Sequence, residues 1–188
     1  MKPTGHLQIF KAYEDGTEEL HFDENNVITS GLGVGFSHLF SGSGADNIID
    51  YQIRHFLVGS GVTDATDYSA STFKLKAGVV GSADWGADST LLIESYNPIE
   101  NGVVVGSTVP FARIRFSNVH KVTNTSVRYT LVLDRNTLNG DYINEVGLFM
   151  RNPRGNTSPN PILVAYRPFT EITKTSDFSL IFRWTLQF

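Results

Sequence analysis

Large apolar residues alternate with mainly polar ones along the end of the chain, residues 176–188 (SDFSLIFRWTLQF). Every second position from Phe178 to Phe188 is apolar, which is typical of a β-strand that buries one face. Burying these side chains would contribute on the order of 10 kcal/mol, comparable to the stability of a whole domain. The pattern therefore predicts a strand inside a sheet, with Phe188 fixed in it.

Strand-length segments recur along the rest of the chain and are separated by turn residues. The segment HLQIFKAY, the pair Asp15-Gly16 and the following ELHF predict a hairpin. Further strands are predicted in YQIRHFLVG, TFKLKAGVV, TLLIESY, VPFARIRFSNV, TSVRYTLVLD, YINEVGLFM and PILVAYRPF. The loop at residues 151–161 is rich in Pro and Asn, so we expect it to be exposed.

One short helix interrupts the predicted strands. Ser30 is a suitable N-cap for a helix that runs to about Phe40, after which two glycines follow closely. Eight to ten short strands with a single helix favour an antiparallel β-sandwich. We therefore predict an all-β, jelly-roll-like sandwich with one short helix, folded as a single domain over residues 1–188.

Motifs that carry chemistry are absent from the sequence. The glycines of GLGVG suggest a dinucleotide-binding turn, but position 36, where the fingerprint needs its third glycine, is Phe. The five His have no metal-binding spacing, and the chain contains no Cys. Nucleophile motifs and phosphate-binding loops are also missing. We therefore predict a protein that is not an enzyme and has no catalytic residue, cofactor or metal site.

Charge is divided unevenly between the two halves of the chain. Residues 1–100 contain 5 Lys and Arg against 14 Asp and Glu, whereas residues 101–188 contain 10 against 5. These charges either pair within one fold or form complementary surfaces on neighbouring subunits. The basic interface candidates are Arg113, Arg115 and Arg128, on two strands predicted to be neighbours. The acidic candidates are Glu14, Asp15, Glu18 and Glu19, on the first hairpin.

Other classes of partner are disfavoured by the composition. The basic residues are dispersed and the pI is about 5.7, so we expect no nucleic-acid binding. No segment has the apolar core of a signal peptide or the length of a membrane span, which predicts synthesis in the cytoplasm without membrane contact. The aromatic residues Tyr68 and Trp85 lie in Gly-, Ser- and Asp-rich segments. They either anchor their own loops or stack on a sugar or a partner.

Two stretches together resemble a pattern of virion proteins from tailed bacteriophages. The first is NNVITSGLGVGFSHLFSG, followed by IRHFLVGSGVTDAT and FKLKAG; a polar segment leads into a short helix and then a strand with a Gly-x-Gly turn. The second is YINEVGLFM, followed by ILVAYRPFTEITKTSDFSLIFRWTLQF. There a Glu-x-Gly-Leu-Phe strand precedes a Lys-Thr-x-Asp turn and a final aromatic strand. The resemblance covers roughly residues 25–80 and 140–188.

The resemblance implies a structural subunit of a virion, most similar in role to proteins of the tail, baseplate or neck. Its partners would be copies of itself and other virion structural proteins, and it would be made in the host cytoplasm. The alternative is a carbohydrate-binding or receptor-binding module of a tail fibre or spike. In that case Tyr68 and Trp85 would stack on a host-surface glycan. A depolymerase-type enzyme is a third alternative, for which the sequence has no catalytic signature.

Overall fold

The computed structural model describes residues 2–41, 53–59, 91–96, 99–100, 103–104, 109–114, 119–150 and 162–188. Within them, twelve strands and one helix are formed. The elements are β1 (Thr4–Tyr13), β2 (Glu18–Ile28), α1 (Ser30–Ser41), β3 (Ile53–Gly59), β4 (Leu91–Tyr96), β5 (Ile99–Glu100), β6 (Val103–Val104), β7 (Val109–Ile114), β8 (Val119–Thr123), β9 (Ser126–Leu133), β10 (Tyr142–Met150), β11 (Ile162–Thr173) and β12 (Phe178–Gln187).

The prediction of an all-β protein with one short helix is confirmed. Strands are present in each predicted segment that the structure describes. The strand predicted at residues 72–80 and the loop predicted at residues 151–161 lie outside the described residues. The single-domain boundary stays a prediction.

Ten of the strands form one antiparallel sheet, in the order β4-β7-β3-β10-β11-β2-β1-β12-β9-β8. Strand β2 joins its two halves: most of β2 pairs with β1, whereas Val27 and Ile28 pair with Tyr166 and Ala165 of β11. The sheet curls so that β7 comes close to β9. Ten of the twelve described strands thus form one curled sheet, while β5 and β6 pair with each other in a separate two-stranded sheet. The jelly-roll-like sandwich stays a prediction.

The β1–β2 hairpin turns where Asp15-Gly16 predicts it. The Tyr13 amide donates to the Thr17 carbonyl at 2.9 Å, and the Gly16 amide donates back to the Tyr13 carbonyl at 3.1 Å. Gly16 has a φ of 84°, in the left-handed region where glycine has no steric cost. The sequence therefore predicts this turn correctly, because its positive φ favours glycine and Gly16 is present at that position.

Helix α1 has the predicted extent, but its cap differs by one residue. Ser30 is already helical, and Thr29 precedes it with its Oγ1 accepting from the Gly31 amide at 3.3 Å. The Thr29 amide donates to the Val164 carbonyl of β11 at 3.0 Å, which continues the β2–β11 pairing. Thr29 is thus the N-cap of α1, because its hydroxyl accepts a hydrogen bond from an amide of the first turn. The same residue ends the pairing between β2 and β11.

The core lies on the inner face of the curled sheet, and β12 is central to it. The buried residues of β12 alternate as the sequence predicts, and they are Phe178, Leu180, Phe182, Trp184 and Leu186. Cross-strand neighbours extend these rows, so that Phe182 lies between Ile9 of β1 and Leu131 of β9. Strand β12 is therefore held on both edges and on its inner face.

Phe188 is the one residue of this pattern that departs from the prediction. It lies beyond the end of β12 and is only partly buried. Its amide donates to the Thr125 carbonyl at 2.8 Å, and its ring lies 6.2 Å from that of Phe36 on α1. Phe188 is therefore fixed by the helix and by a neighbouring turn, not by the sheet ladder.

Side chains close the space between the two halves of the sheet. Phe169 of β11 lies 5.9 Å from the ring of Phe22 on β2 and 6.4 Å from the ring of Phe182 on β12. Tilted ring pairs at these separations are favourable. Phe169 therefore connects the core of one half of the sheet to that of the other.

A glycine, an amide and an indole meet where β2 changes partner. The Trp184 indole N–H donates to Asn26 Oδ1 at 2.7 Å, and Asn26 Nδ2 donates to the Val27 carbonyl at 3.0 Å. The Asn26 side chain lies over Gly5, where a Cβ would come within 2.0 Å of Oδ1. Only glycine at position 5 leaves room for this arrangement.

We expect Gly5→Ala to lower the free energy of unfolding by about 1–3 kcal/mol, measured by chemical denaturation. The new methyl group displaces the flexible Asn26 amide, and the buried indole N–H of Trp184 loses its acceptor. Asn26→Ala removes the same acceptor and should cost a similar amount. The double variant should then be no less stable than Asn26→Ala, whereas additive costs would refute this account.

Candidate functional site

The acidic residues of the first hairpin form ion pairs within the chain. Glu14 contacts Arg135, with Oε2 2.9 Å from one guanidinium nitrogen. Arg135 holds the pKa of the Glu14 carboxyl below its usual range by hydrogen bonding and by its charge. Glu18 accepts from Arg183 at 3.1 and 3.2 Å through its two oxygens. Two of the four acidic interface candidates are thus paired with arginines of the second half.

The other two acidic candidates have local partners. Asp15 accepts from the Thr17 amide at 2.9 Å and from the Thr17 hydroxyl at 2.7 Å, and these bonds lower its pKa. Glu19 accepts from the Tyr13 hydroxyl at 2.8 Å, and this hydrogen bond raises the pKa of Tyr13. Both carboxylates therefore accept hydrogen bonds from other residues of the same hairpin.

Part of the opposite charge of the two halves of the sequence is therefore paired within the chain. Arg167 pairs with Glu24, which gives a third ion pair between the basic second half and the acidic first half. The Glu14–Arg135 and Glu18–Arg183 pairs are accessible to solvent, and such pairs individually contribute little to stability. A head-to-tail contact between the charged surfaces of neighbouring subunits stays a prediction.

The basic candidates do not share neighbouring strands. Arg128 is exposed on β9, where its Nε lies 3.5 Å from Thr185 Oγ1, and it faces His120 of β8 across the ladder. Arg113 is on β7, whose partners are β3 and β4. The prediction that these residues lie on neighbouring strands is wrong for the order of the sheet, where β7 and β9 are far apart and approach each other only through its curl. Alternation reveals the face of a strand but not its partner. Arg115 lies outside the described residues.

The two candidates for sugar stacking, Tyr68 and Trp85, also lie outside the described residues. The structure therefore gives no geometry for the carbohydrate-binding alternative.

An apolar surface that the sequence did not predict lies on helix α1. The helix rests on β11 through its buried side, which includes Leu32 and Gly35. Its outward side presents Phe36, Leu39 and Phe40, and Phe40 is 82% exposed. We call these three side chains, with Gly33 and Phe188, the α1 patch.

The α1 patch is ordered by contacts between its own aromatic rings. The ring of Phe36 lies 6.2 Å from that of Phe40 and 6.2 Å from that of Phe188. Exposed apolar groups that cluster in this way are a common sign of an interaction surface. The sequence does contain a sign of this surface, since α1 is rich in Phe and Leu and contains no Asp, Glu, Lys or Arg.

Two residues with ionisable side chains, Glu145 and Lys174, are fully buried among the described residues, and both lie in the second stretch that resembles phage proteins. Glu145 of β10 is fully buried and accepts from the Tyr166 hydroxyl of β11 at 2.8 Å. Lys174, predicted to lie in a polar turn before β12, is instead fully buried. Buried charged groups need hydrogen-bond partners, so both mark positions where the surrounding structure is tightly specified.

The ammonium of Lys174 is surrounded by oxygen acceptors. It donates to the Thr175 carbonyl at 2.6 Å and to Asn139 Oδ1 at 3.2 Å, with the Arg135 carbonyl at 3.5 Å. Burial lowers the pKa of Lys174 to about 8, partly offset by the carboxylates of Asp134 and Asp177. Lys174 thus fixes the loop between β9 and β10 against the turn that leads into β12.

The described residues contain neither a metal-binding cluster nor a membrane-spanning helix. Among the described residues, no cluster of three or more His, Asp or Glu side chains is placed to hold a metal ion. The described part of the chain also has no helix of the length and apolarity that a membrane crossing requires.

Comparison of the chain with protein-family models, with curated proteins and with solved structures finds no match.

Proposed function

We propose that this protein is a structural subunit of a bacteriophage virion, in the tail, baseplate or neck. It acts by self-assembly and by contacts with other virion proteins, and it has no catalytic role or cofactor. The observation that carries the proposal is the agreement between the described elements and the element order that the phage-protein resemblance implies. The chain would be made in the host cytoplasm and incorporated into the particle there.

The first resembling stretch has the expected order of elements. The polar segment before the helix ends β2 at Ile28, α1 follows from Ser30, and β3 ends at Gly59, the first glycine of a Gly-Ser-Gly sequence. This stretch also contains most of the α1 patch. It therefore combines a buried connection between the two halves of the sheet with an outward apolar surface, a combination suited to a subunit of an assembly.

The second resembling stretch provides three interior strands of the sheet, β10, β11 and β12. Glu145 and Gly147 are on β10, the turn from Lys174 to Asp177 follows β11, and the aromatic strand is β12. In the described part of this stretch, one face of β12 and the Lys174 side chain are buried. A well-packed sheet suits a repeated building block, because segments that must be ordered on assembly cost conformational entropy.

Immunogold labelling of intact particles tests this function. An antibody against the purified chain should label one defined part of phage particles that are produced from a genome encoding it. Mass spectrometry of the same purified particles should detect its peptides in stoichiometric amount. Infected cells that contain the chain, with unlabelled particles free of its peptides, would refute the proposal.

A glycan array run with the purified protein addresses the alternative, since specific sugar binding would favour a receptor-binding module.

A further inference from the structure

We propose that the Asn139-Gly140 pair is a deamidation site that Lys174 keeps intact in the folded chain. Lys174 contacts both groups that would react with each other. Its backbone carbonyl accepts from the Gly140 amide at 2.9 Å, and its ammonium donates to Asn139 Oδ1 at 3.2 Å. One residue thus holds the nucleophile and the electrophile of the same reaction.

Deamidation of an Asn-Gly pair begins with attack by the glycine backbone nitrogen on the Asn side-chain carbon Cγ. The new N–C bond forms as the glycine nitrogen loses its proton to water or hydroxide. The bond from Cγ to Nδ2 then breaks, and the departing nitrogen takes a proton from solvent and leaves as ammonia. The resulting succinimide takes up water and opens to Asp or to isoaspartate. Glycine favours the attack because it has no Cβ to obstruct the approach.

Burial does not protect this pair. Asn139 and Gly140 are both exposed, at the end of the loop between β9 and β10. Gly140 has a φ of 86°, a conformation that favours glycine, so the residue after Asn139 cannot be exchanged for a bulkier one without strain. Water and hydroxide reach the pair, and its protection must therefore come from hydrogen bonds.

The electrophile is held at both ends of its amide group. Asn139 Nδ2 donates to the Arg135 carbonyl at 2.7 Å, while Oδ1 accepts from the Lys174 ammonium. The ammonium is itself fixed, since Lys174 is fully buried and donates to the Thr175 carbonyl at 2.6 Å. Rotation of the Asn139 side chain toward the Gly140 nitrogen would break both hydrogen bonds. The ammonium also polarises the Asn139 carbonyl, but polarisation accelerates an attack only where the reacting atoms can meet.

The nucleophile is held by the main chain of the same lysine. The Gly140 amide donates to the Lys174 carbonyl, and the Lys174 amide donates to the Asp141 carbonyl at 2.8 Å. These two hydrogen bonds pair the loop with the residue that follows β11. An amide nitrogen is a weak nucleophile until it loses its proton, and here that proton is engaged by a carbonyl. The reaction therefore requires the loop to separate from Lys174.

The products would alter the same contacts. Isoaspartate carries the side-chain carbon in the main chain, which displaces Gly140 from the Lys174 carbonyl. Aspartate at position 139 would instead place a carboxylate beside the ammonium, where all three acceptors are now uncharged oxygens. Both products are distinguishable from Asn139 by liquid chromatography and mass spectrometry of peptides.

Prolonged incubation of the intact chain at neutral pH, folded and in urea, tests the proposal. Asn101-Gly102 is the other Asn-Gly pair of the sequence and provides an internal reference. In urea, Asn139 and Asn101 should deamidate at similar rates. In the folded chain, Asn139 should deamidate at least roughly 10-fold more slowly than in urea, because opening the loop breaks a hydrogen bond to a charged group and two others.

Lys174→Met removes the ammonium and retains the backbone carbonyl. Deamidation of Asn139 in the folded variant should be roughly 10-fold faster than in the folded native chain. Gly5→Ala is the matched control, since it lowers stability at the end of β1 far from Tyr13, the residue that pairs with Phe178 beside this site. It should leave Asn139 protected, because the protection is local.

Hydrogen exchange of the Gly140 amide tests the inference without any substitution, and so applies even if Lys174→Met does not fold. We expect this amide to exchange slowly in the native chain. The inference is overturned by a Gly140 amide that exchanges as in an unfolded chain, or by equal deamidation of Asn139 in the folded and unfolded states. An unchanged or slower reaction in folded Lys174→Met would also overturn it, as would an equal acceleration by Gly5→Ala.

Discussion

Replacing Phe182 by Ala should lower the free energy of unfolding by about 3–5 kcal/mol, the largest loss expected from a single substitution here. Phe182 is fully buried, with Ile9 and Leu131 beside it on the neighbouring strands and Phe169 across the curl of the sheet. Truncation would therefore leave a cavity bounded by rigid sheet on two sides and by a ring on the third. Because such a site has little freedom to collapse, the loss should lie near the upper end of the range.

The neighbouring residue provides a matched control. Ile181 lies on the same strand with its side chain on the opposite, partly exposed face. Ile181→Ala should therefore cost much less, about 1 kcal/mol. Urea unfolding followed by circular dichroism measures both. Equal losses for the two variants would mean that the alternation along β12 does not separate a buried face from an exposed one.

Removal of residues 178–188 extends the same experiment to the whole strand. Both neighbours, β1 and β9, would lose a partner along a full edge, and the inner face of the sheet would be open to water. We expect an insoluble or molten product without a cooperative melt. A soluble truncated chain with an unchanged melting transition would show that β12 is dispensable.

Local features of this fold follow from the sequence because one or two residues determine them. Asp15-Gly16 specifies its turn through the positive φ that glycine accommodates. The alternation from Phe178 to Leu186 gives the buried face of β12 residue by residue. The helix limits follow from a polar N-cap region and from closing glycines, with an error of one residue at the cap.

Contacts between residues far apart in the sequence could not be predicted, since they depend on the order of the strands in the sheet. Two strands with similar alternation, β7 and β9, have different neighbours in the sheet. The ion pairs of the first hairpin join residues far apart in sequence, such as Glu18 and Arg183. Lys174 has the sequence context of an exposed turn, yet the distant loop between β9 and β10 contributes to its enclosure through Asn139. The α1 patch is exposed because the sheet covers one side of the helix alone.

Lys174 should make stability depend on pH between about 8 and 10.5. In the unfolded chain its pKa has the ordinary value of 10.5, whereas burial lowers the pKa to about 8 in the folded protein. Between these values the unfolded state binds more protons, so stability increases as the pH rises. Below about pH 8 the ammonium is charged in both states, and the folded state carries the full cost of burying it.

The comparison with Lys174→Met isolates this contribution. Methionine has a similar length and no titratable group, so the stability of the native protein relative to the variant should increase by up to about 3 kcal/mol over this interval. Burial raises the pKa of Tyr129 to about 12, which opposes the trend above pH 10. Tyr129 is present in both proteins, however, and its effect cancels in the difference. Urea denaturation at a series of pH values from 7 to about 10.5 measures the two curves. If they stay parallel, the Lys174 ammonium is not desolvated in the folded state, and the enclosed site between the β9–β10 loop and the turn before β12 is open to water.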